Sequence, residues 1–256
     1  MATRRYSPRP GLKRLDIGIR KTAPTFGRSV FLTDAQKSIG AIAVESPSER
    51  LISQLLGLDP TVRTFQSQPL TVDLLQGTLL LTSEEKAQAR QRDRVRGERS
   101  VFYTPDFLVQ LCSGASIAIE VKTEDWNGDA AYQEKLFRAS EVLACHRIDF
   151  ARLVVPSLWC HPLKTNAPLL HQAAKRLDLR PTAAVLEKLE VLADGGACTL
   201  GEFCSGIGVD MRTAPVLIVF GALKADVLKH ELNSKTPAQA AYGDLSHLSV
   251  LGGLAQ

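Results

Sequence analysis

Two apolar runs make up the most constrained part of this chain. Val101 to Leu111 is rich in β-branched and aromatic residues, and Ser116 to Val121 alternates Ile117, Ile119 and Val121 with small or polar residues. Cys112-Ser113-Gly114 separates them, a short loop with glycine last, where a three-residue hairpin needs a left-handed residue. Closing that loop sets the register: Leu111 faces Ala115, and Asp106 faces Glu120. Facing residues share a sheet face with Cβ atoms about 4.5–5.5 Å apart. Lys122, two residues on, points to the same face.

Two bare carboxylates held that close repel, and the pKa of one rises. A divalent cation, Mg²⁺ with Mn²⁺ as a substitute, removes the conflict. Carboxylate oxygens on such an ion, with positions left open to water and a phosphate, are what metal-assisted phosphodiester hydrolysis requires. The lysine can then hold the attacking water and offset charge in the transition state. The competing reading is a hairpin whose acids are only surface charges.

At 256 residues there is room for one large domain or two small ones. No apolar run is long enough to span a bilayer, and no apolar stretch follows the basic N-terminus as in a signal peptide. Five cysteines lack CxxC spacing, and Cys145-His146 and Cys160-His161 fit no common zinc site, so reduced thiols are expected. No glycine-rich phosphate loop marks an ATPase. The net charge of +4 is unevenly spread. Arg4, Arg5, Arg9, Lys13, Arg14, Arg20, Lys21 and Arg28 stand against Asp16 in a proline- and glycine-broken arm over 1–30. The arm reads either as a phosphate-tracking tail or as a solvated terminus.

Ser46-Pro47-Ser48-Glu49 offers a capping serine, proline at the first helical position and glutamate three after the cap. A helix over 47–57 follows, with Leu51, Ile52, Leu55 and Leu56 on its apolar face. Val62 to Gln66 and Leu70 to Leu75 read as strands. Residues 83–99 lack an apolar face and read as a solvated insertion, with Ser83 a candidate cap and an arginine-rich second half that reads either as a solvated face or as a DNA contact. A helix over Ala130 to Cys145 and a strand over Ala151 to Pro156 complete a mixed sheet flanked by helices.

Pro105-Asp106 followed by Glu120-Val121-Lys122 resembles the PD-(D/E)xK signature of restriction-endonuclease-like nucleases. The longer string, Tyr103-Thr104-Pro105-Asp106-Phe107-Leu108-Val109, a glycine turn, then Ile119-Glu120-Val121-Lys122, is similar to the TnsA-type endonucleases of heteromeric cut-and-paste transposases. Leu58-Asp59-Pro60-Thr61-Val62 and Phe65-Gln66-Ser67-Gln68-Pro69 match that family's DP-x-V turn and Q-P strand. The resemblance implies a restriction-endonuclease-like α/β fold over residues 31–164. It implies that Asp106 and Glu120, with Glu49, hold one or two Mg²⁺ ions, and that Lys122 orients the attacking water. Glu49 keeps two readings: family metal ligand, or helix cap alone. The family cleaves double-stranded DNA at the 5′ ends of a transposon, beside a DDE-type transposase, TnsB, and an AAA+ ATPase regulator, TnsC. It implies a bacterial cytoplasmic protein, on the nucleoid when active. Two other readings keep the hairpin but drop those partners: a stand-alone restriction or repair nuclease, and a non-catalytic DNA-binding adaptor.

Pro156, Pro162 and Pro168 punctuate the chain and place a domain boundary at 164/165. Beyond it helices are expected at Leu169 to Leu177, Pro181 to Leu192, Thr199 to Cys204, Met211 to Leu223 and Ala225 to Leu232. Three short helices and a strand pair make a winged-helix-like domain over 165–256, a candidate partner-binding module. Its proposed recognition helix, with Ala214, Val216, Leu217, Ile218, Val219 and Phe220, is poor in groups that read base edges. Trp159 reads as a packing residue.

If the arm tracks phosphates, deleting residues 1–20 lowers affinity for any duplex. The log–log salt slope of binding then becomes shallower by about 0.9 for each phosphate that the arm no longer neutralises. An unchanged slope makes the arm a bystander.

Overall fold

The hairpin closes in the expected register in the computed structural model, which describes residues 31–33, 37–38, 42–126, 128–249 and 251–254. Arg4, Arg5, Arg9, Lys13, Arg14, Arg20 and Lys21 lie outside the described residues. A short antiparallel pair, β1 (Phe31–Thr33) with β2 (Ile42–Val44), leads into helix α1 (Pro47–Leu58). Ser46 caps α1, accepting from the Glu49 amide, and Pro47 occupies the first helical position. Then come β3 (Val62–Ser67), β4 (Thr71–Asp73), β5 (Thr78–Leu80), helix α2 (Ser83–Val95), β6 (Phe102–Tyr103), β7 (Phe107–Leu111) and β8 (Ser116–Thr123). Helix α3 (Ala130–Cys145) and strand β9 (Ile148–Val155) close the first part of the chain.

The main sheet has the order β3-β7-β8-β9. β3 and β8 run antiparallel to β7, and β9 runs parallel to β8. Leu111 N–H donates to Ala115 across a loop in which Gly114 takes φ +92°, the left-handed position that favours glycine. Alternation assigns the two faces. Phe107, Val109, Ile119, Val121, Leu153 and Val155 pack in one core with Ile52, Leu55 and Leu56 of α1. Ala118 and Leu108 fall in a second core with Leu136, Ala139 and Leu143 of α3. Phe65 and Phe107 meet edge to face, centroids 6.0 Å apart.

The apolar run at 101–111 is not one strand. Pro105 has no N–H to give, and the run splits at Thr104–Asp106. β6 leaves the main sheet to pair with β4, in a second sheet of order β5-β4-β6. The charged stretch at 83–99 is a helix despite having no apolar face. Thr82, not Ser83, caps it in a full capping box with Glu85, and only Ala89 and Asp93 are buried. Polar links take the place of burial: Arg92 pairs with Asp73 and Asp93 at 2.7 and 2.6 Å.

Helices α4 (Pro162–Ala173), α5 (Ala183–Asp194), α6 (Leu200–Ile207) and α7 (Ala214–Val219) follow. Strands β10 (Leu223–Lys224) and β11 (Gln239–Ala240) then pair antiparallel, and α8 (Leu251–Leu254) ends the described chain. Several expectations are corrected here. Pro168 lies inside α4 rather than breaking it, so the boundary drawn at 164/165 falls within that helix. Residues 225–232 are not helical, because buried Asn166 of α4 holds them otherwise. Its amide donates to the Val227 and His230 carbonyls at 2.8 and 2.7 Å and accepts from Leu232 N–H at 3.1 Å. Asp226 adds turn bonds from the Leu228 and Lys229 amides. The apolar stretch at 211–223 yields only the short α7, whose Ala214, Val216, Leu217, Ile218 and Val219 are all buried. Trp159 is 89% exposed and packs little.

Leu163, Ala167 and Leu170 of α4 are buried in the same core as α1 and α7. Leu170→Ala is therefore expected to cost about 2–5 kcal/mol. The loss should reach the hairpin as well as the C-terminal helices, and hydrogen exchange at both checks it. A loss confined to residues beyond 173 would show that α4 does not couple them.

Candidate active site

The β7–β8 ladder ends at Phe107–Ile119, one step short of Asp106 and Glu120. Asp106 takes over where the ladder stops. Its amide donates to the Ile119 carbonyl at 2.9 Å, and its Oδ2 accepts from Val121 N–H at 2.8 Å. Glu120 is 5% exposed, on the face that α3 covers. Its Oε2 accepts from the Tyr103 hydroxyl at 2.7 Å. Its Oε1 accepts from the Tyr132 hydroxyl and pairs with Lys122 Nζ at 2.7 Å. Burial and the Glu120 charge push both phenols above their ordinary range, so both stay protonated and keep donating.

Lys122 lies 4.9 Å from the Trp126 ring centroid and 5.2 Å from that of Tyr132, within reach of cation–π attraction. The two rings tilt against each other at 4.8 Å. The turn before α3 is built to admit Tyr132. Gly128 takes φ +77°, and a Cβ there would lie 2.3 Å from the Tyr132 ring. Asp129 then caps α3 by accepting from the Tyr132 amide at 2.8 Å.

Glu49 sits in the first turn of α1. Its Oε2 accepts from the Glu45 amide and its Oε1 from the Ser46 hydroxyl, both at 2.8 Å. The bond reaches one residue further back than a standard capping box, which would use the Ser46 amide. Burial pushes the Glu49 carboxyl up, and the Glu45 amide, the Ser46 hydroxyl and the Lys122 charge only partly oppose it. Asp106 is pushed well above the usual carboxylate range, first by burial, then by the charges of Glu120 and Glu49. The four sequence-predicted groups, Glu49, Asp106, Glu120 and Lys122, therefore share one electrostatic field. They do not share one coordination sphere. Among the described residues no three His, Cys, Asp or Glu side chains are grouped to hold a metal ion.

Four participants escaped sequence reasoning. Tyr103 opens the Tyr-Thr-Pro-Asp string but reads as a strand aromatic, and Tyr132 reads as helix packing. Trp126 reads only as part of a turn. Gln68 is buried with φ 46°, unusual for a residue with a side chain. Its amide donates to the Asp106 carbonyl at 3.0 Å, and its side chain reaches Glu45 at 3.3 Å. The Gln-Pro string was a visible signal for it. The pocket lined by Lys224, His230 and His247 contains no residue of the hairpin.

Residues 59–153 match the family model of the TnsA-like endonuclease N-terminal domain. This segment is a TnsA-like endonuclease domain. No curated protein matches the chain. Asp106, Glu120 and Lys122 lie within the TnsA-like domain, and Glu49 precedes the matched residues. An endonuclease domain implies a nuclease acting on DNA, and such endonucleases typically use a divalent metal. The donor chemistry of Asp106 and Glu120 fits one. Both offer hard oxygen donors of the kind such ions take, and the Asp106 carboxyl is pushed up by burial and then by the charges of Glu120 and Glu49. Glu49 and Glu120 are meanwhile engaged by hydroxyls, an amide and an ammonium. Among the described residues no helix is long and apolar enough to cross a membrane.

The raised Asp106 pKa has a stability consequence with a definite sign. The unfolded chain releases this proton near 3.8, earlier than the fold does, so stability falls as pH rises above that value toward the folded pKa. Asp106→Asn keeps an acceptor for Val121 N–H and removes the penalty. In chelator at about pH 7 the variant should melt higher than the wild type, with the gain vanishing toward about pH 3. Equal melting temperatures at both pH values would mean that Asp106 carries no such strain.

Proposed function

We propose that the chain is a divalent-metal-dependent DNA endonuclease of the PD-(D/E)xK type, with a restriction-endonuclease-like core. In this reading it is the TnsA subunit of a heteromeric cut-and-paste transposase, cleaving at the 5′ ends of the transposon. The observation that carries the reading is the meeting of Asp106, Glu120 and Lys122 at one end of the β7–β8 hairpin, inside the TnsA-like domain. A mixed sheet of order β3-β7-β8-β9 between helices supports it.

Asp106 and Glu120 would hold Mg²⁺, or Mn²⁺ in its place, with Glu49 joining when released from its cap. The ion would supply Lewis acidity and a lowered pKa for bound water. This chain's own groups do the rest. Val121 N–H fixes the Asp106 carboxylate. The Tyr103 and Tyr132 hydroxyls fix Glu120. Lys122, held by Glu120 and flanked by two rings, brings a positive charge to where the phosphoryl oxygens gain negative charge, or to the attacking water. In-line attack at phosphorus would leave a 3′-hydroxyl and a 5′-phosphate.

The C-terminal helices support a partner module rather than a base reader. All of α7 but Pro215 is buried, so it offers little face to lay in a groove. The order α5, α6, α7, then the β10–β11 pair supports a winged-helix-like reading, and we assign it to contact with the TnsC regulator. Sequence choice at the transposon ends would come from TnsB.

The test is cleavage of transposon-end duplex in Mg²⁺, with and without those partners. Asp106→Ala, Glu120→Ala and Lys122→Ala should each fall to background while remaining folded. Glu49→Gln separates the two readings of that residue. Gln keeps one oxygen to accept from the Glu45 amide, gives up the acceptor for the Ser46 hydroxyl, and binds a divalent cation poorly, so lost cleavage with only a small fall in melting temperature assigns Glu49 to the metal. Normal cutting by either the Asp106 or the Glu120 variant would sink the site assignment.

A further inference from the structure

Helix α2 buries only Ala89 and Asp93, so the core does not account for its presence. It is instead fastened at fixed points. The Thr82–Glu85 capping box holds its start, and Arg92, which also pairs with its neighbour Asp93, ties its last turns to Asp73 of β4. Lys86 and Arg90 both lie over the Phe102 ring, at 5.8 and 5.7 Å from its centroid. Lys86 also donates to the hydroxyls of Thr71 and Thr104, at 3.1 and 3.4 Å.

The spacing of the cations matters. Lys86, Arg90 and Arg94 are four residues apart in turn, so they form one ridge along the helix. At 1.5 Å rise per residue the ridge is about 12 Å long. One strand of B-DNA presents a phosphate about every 3.4 Å of axis, so the ridge spans roughly three to four phosphate steps. Arg90 and Arg94 are exposed. Lys86, at the ridge's near end, touches Thr104, two residues before Asp106.

β6 joins this ridge to the site. Phe102 and Tyr103 are neighbours on a strand, so their side chains point to opposite faces. Phe102 carries the two cations, and Tyr103 holds Glu120. Charges fixed in this way lose less freedom on meeting a ligand than loose surface arginines do.

We propose that the Lys86–Arg90–Arg94 ridge of α2 binds the phosphate backbone of the duplex flanking the scissile bond. It sets the register of the DNA on the hairpin acids without reading sequence. This rests on the nuclease reading of the hairpin.

The experiment is a fluorescence-anisotropy titration of the full chain with two unrelated 30-base-pair duplexes in chelator, over a range of NaCl concentrations. Glutamine at both positions (Arg90→Gln with Arg94→Gln) keeps helix-forming side chains and removes two charges. The log–log salt slope should become shallower by about 1.8, equally for both duplexes. Lysine at both positions should retain most of the slope. Wild-type binding with an unchanged slope in the glutamine variant overturns the ridge alone. Failure of the wild type to bind either duplex overturns the ridge and the nuclease reading together. A slope change in only one duplex also overturns the proposal, because the ridge would then be reading bases.

Discussion

Asp106 and Glu120 meet where the β7–β8 ladder runs out, and partial burial there strips away the water that would screen them. The Coulomb energy of like charges rises steeply as the local dielectric falls. The surrounding structure answers that repulsion group by group. Two phenol hydroxyls and the Lys122 ammonium converge on Glu120. Asp106 receives one amide, and burial, then the charges of Glu120 and Glu49, hold its proton well up the scale. Removing any one partner would leave a buried charge with fewer bonds, a larger cost than the bond was worth when made. The site is therefore poised in an unequal state. One carboxylate is satisfied by the protein, and the other makes no ion pair among the described residues and feels the Lys122 charge only weakly.

The elements that relieve Glu120 come from outside the hairpin, and each has its own local reason to be there. Tyr103 reaches it because Pro105 breaks the apolar run and sends β6 to a second sheet. Tyr132 reaches it because Gly128 leaves room for its ring and Asp129 starts α3 at that point. Gln68 accepts an uncommon backbone angle while bonding both Asp106 and Glu45. Backbone strain of this kind costs about 1–3 kcal/mol and persists only where surroundings over-determine it.

The sequence made the hairpin, its register, α1 with its cap and α3 legible, because each depends on neighbours in the chain. Alternation at 116–121, the loop ending in Gly114 and the Ser46-Pro47 start are local signals. The failures are tertiary. Residues 225–232 have helical spacing, yet Asn166, more than sixty residues away, claims their backbone groups. α2 forms without an apolar face because Asp73 and Thr71 in another element supply its anchors. The aromatics around Lys122 could not be told from packing residues until three dimensions placed their hydroxyls and ring faces. The boundary at 164/165 followed prolines that α4 accommodates, since its apolar residues are buried against α1 and α7.

Glu49 is tied to the start of α1 by bonds that a change of its rotamer would only partly undo. Its carboxylate now bridges the Glu45 amide and the Ser46 hydroxyl, while Ser46 independently caps the Glu49 amide. If the carboxylate swung away, that second bond would remain, and α1 would still begin with proline at its first position. The cost of release is then a fraction of a full N-cap, whose complete loss is worth about 1 kcal/mol. Burial disfavours the charged carboxylate where it sits, while the Glu45 amide, the Ser46 hydroxyl and the Lys122 charge favour it. A cap of this strength keeps Glu49 near Asp106 without locking it in place.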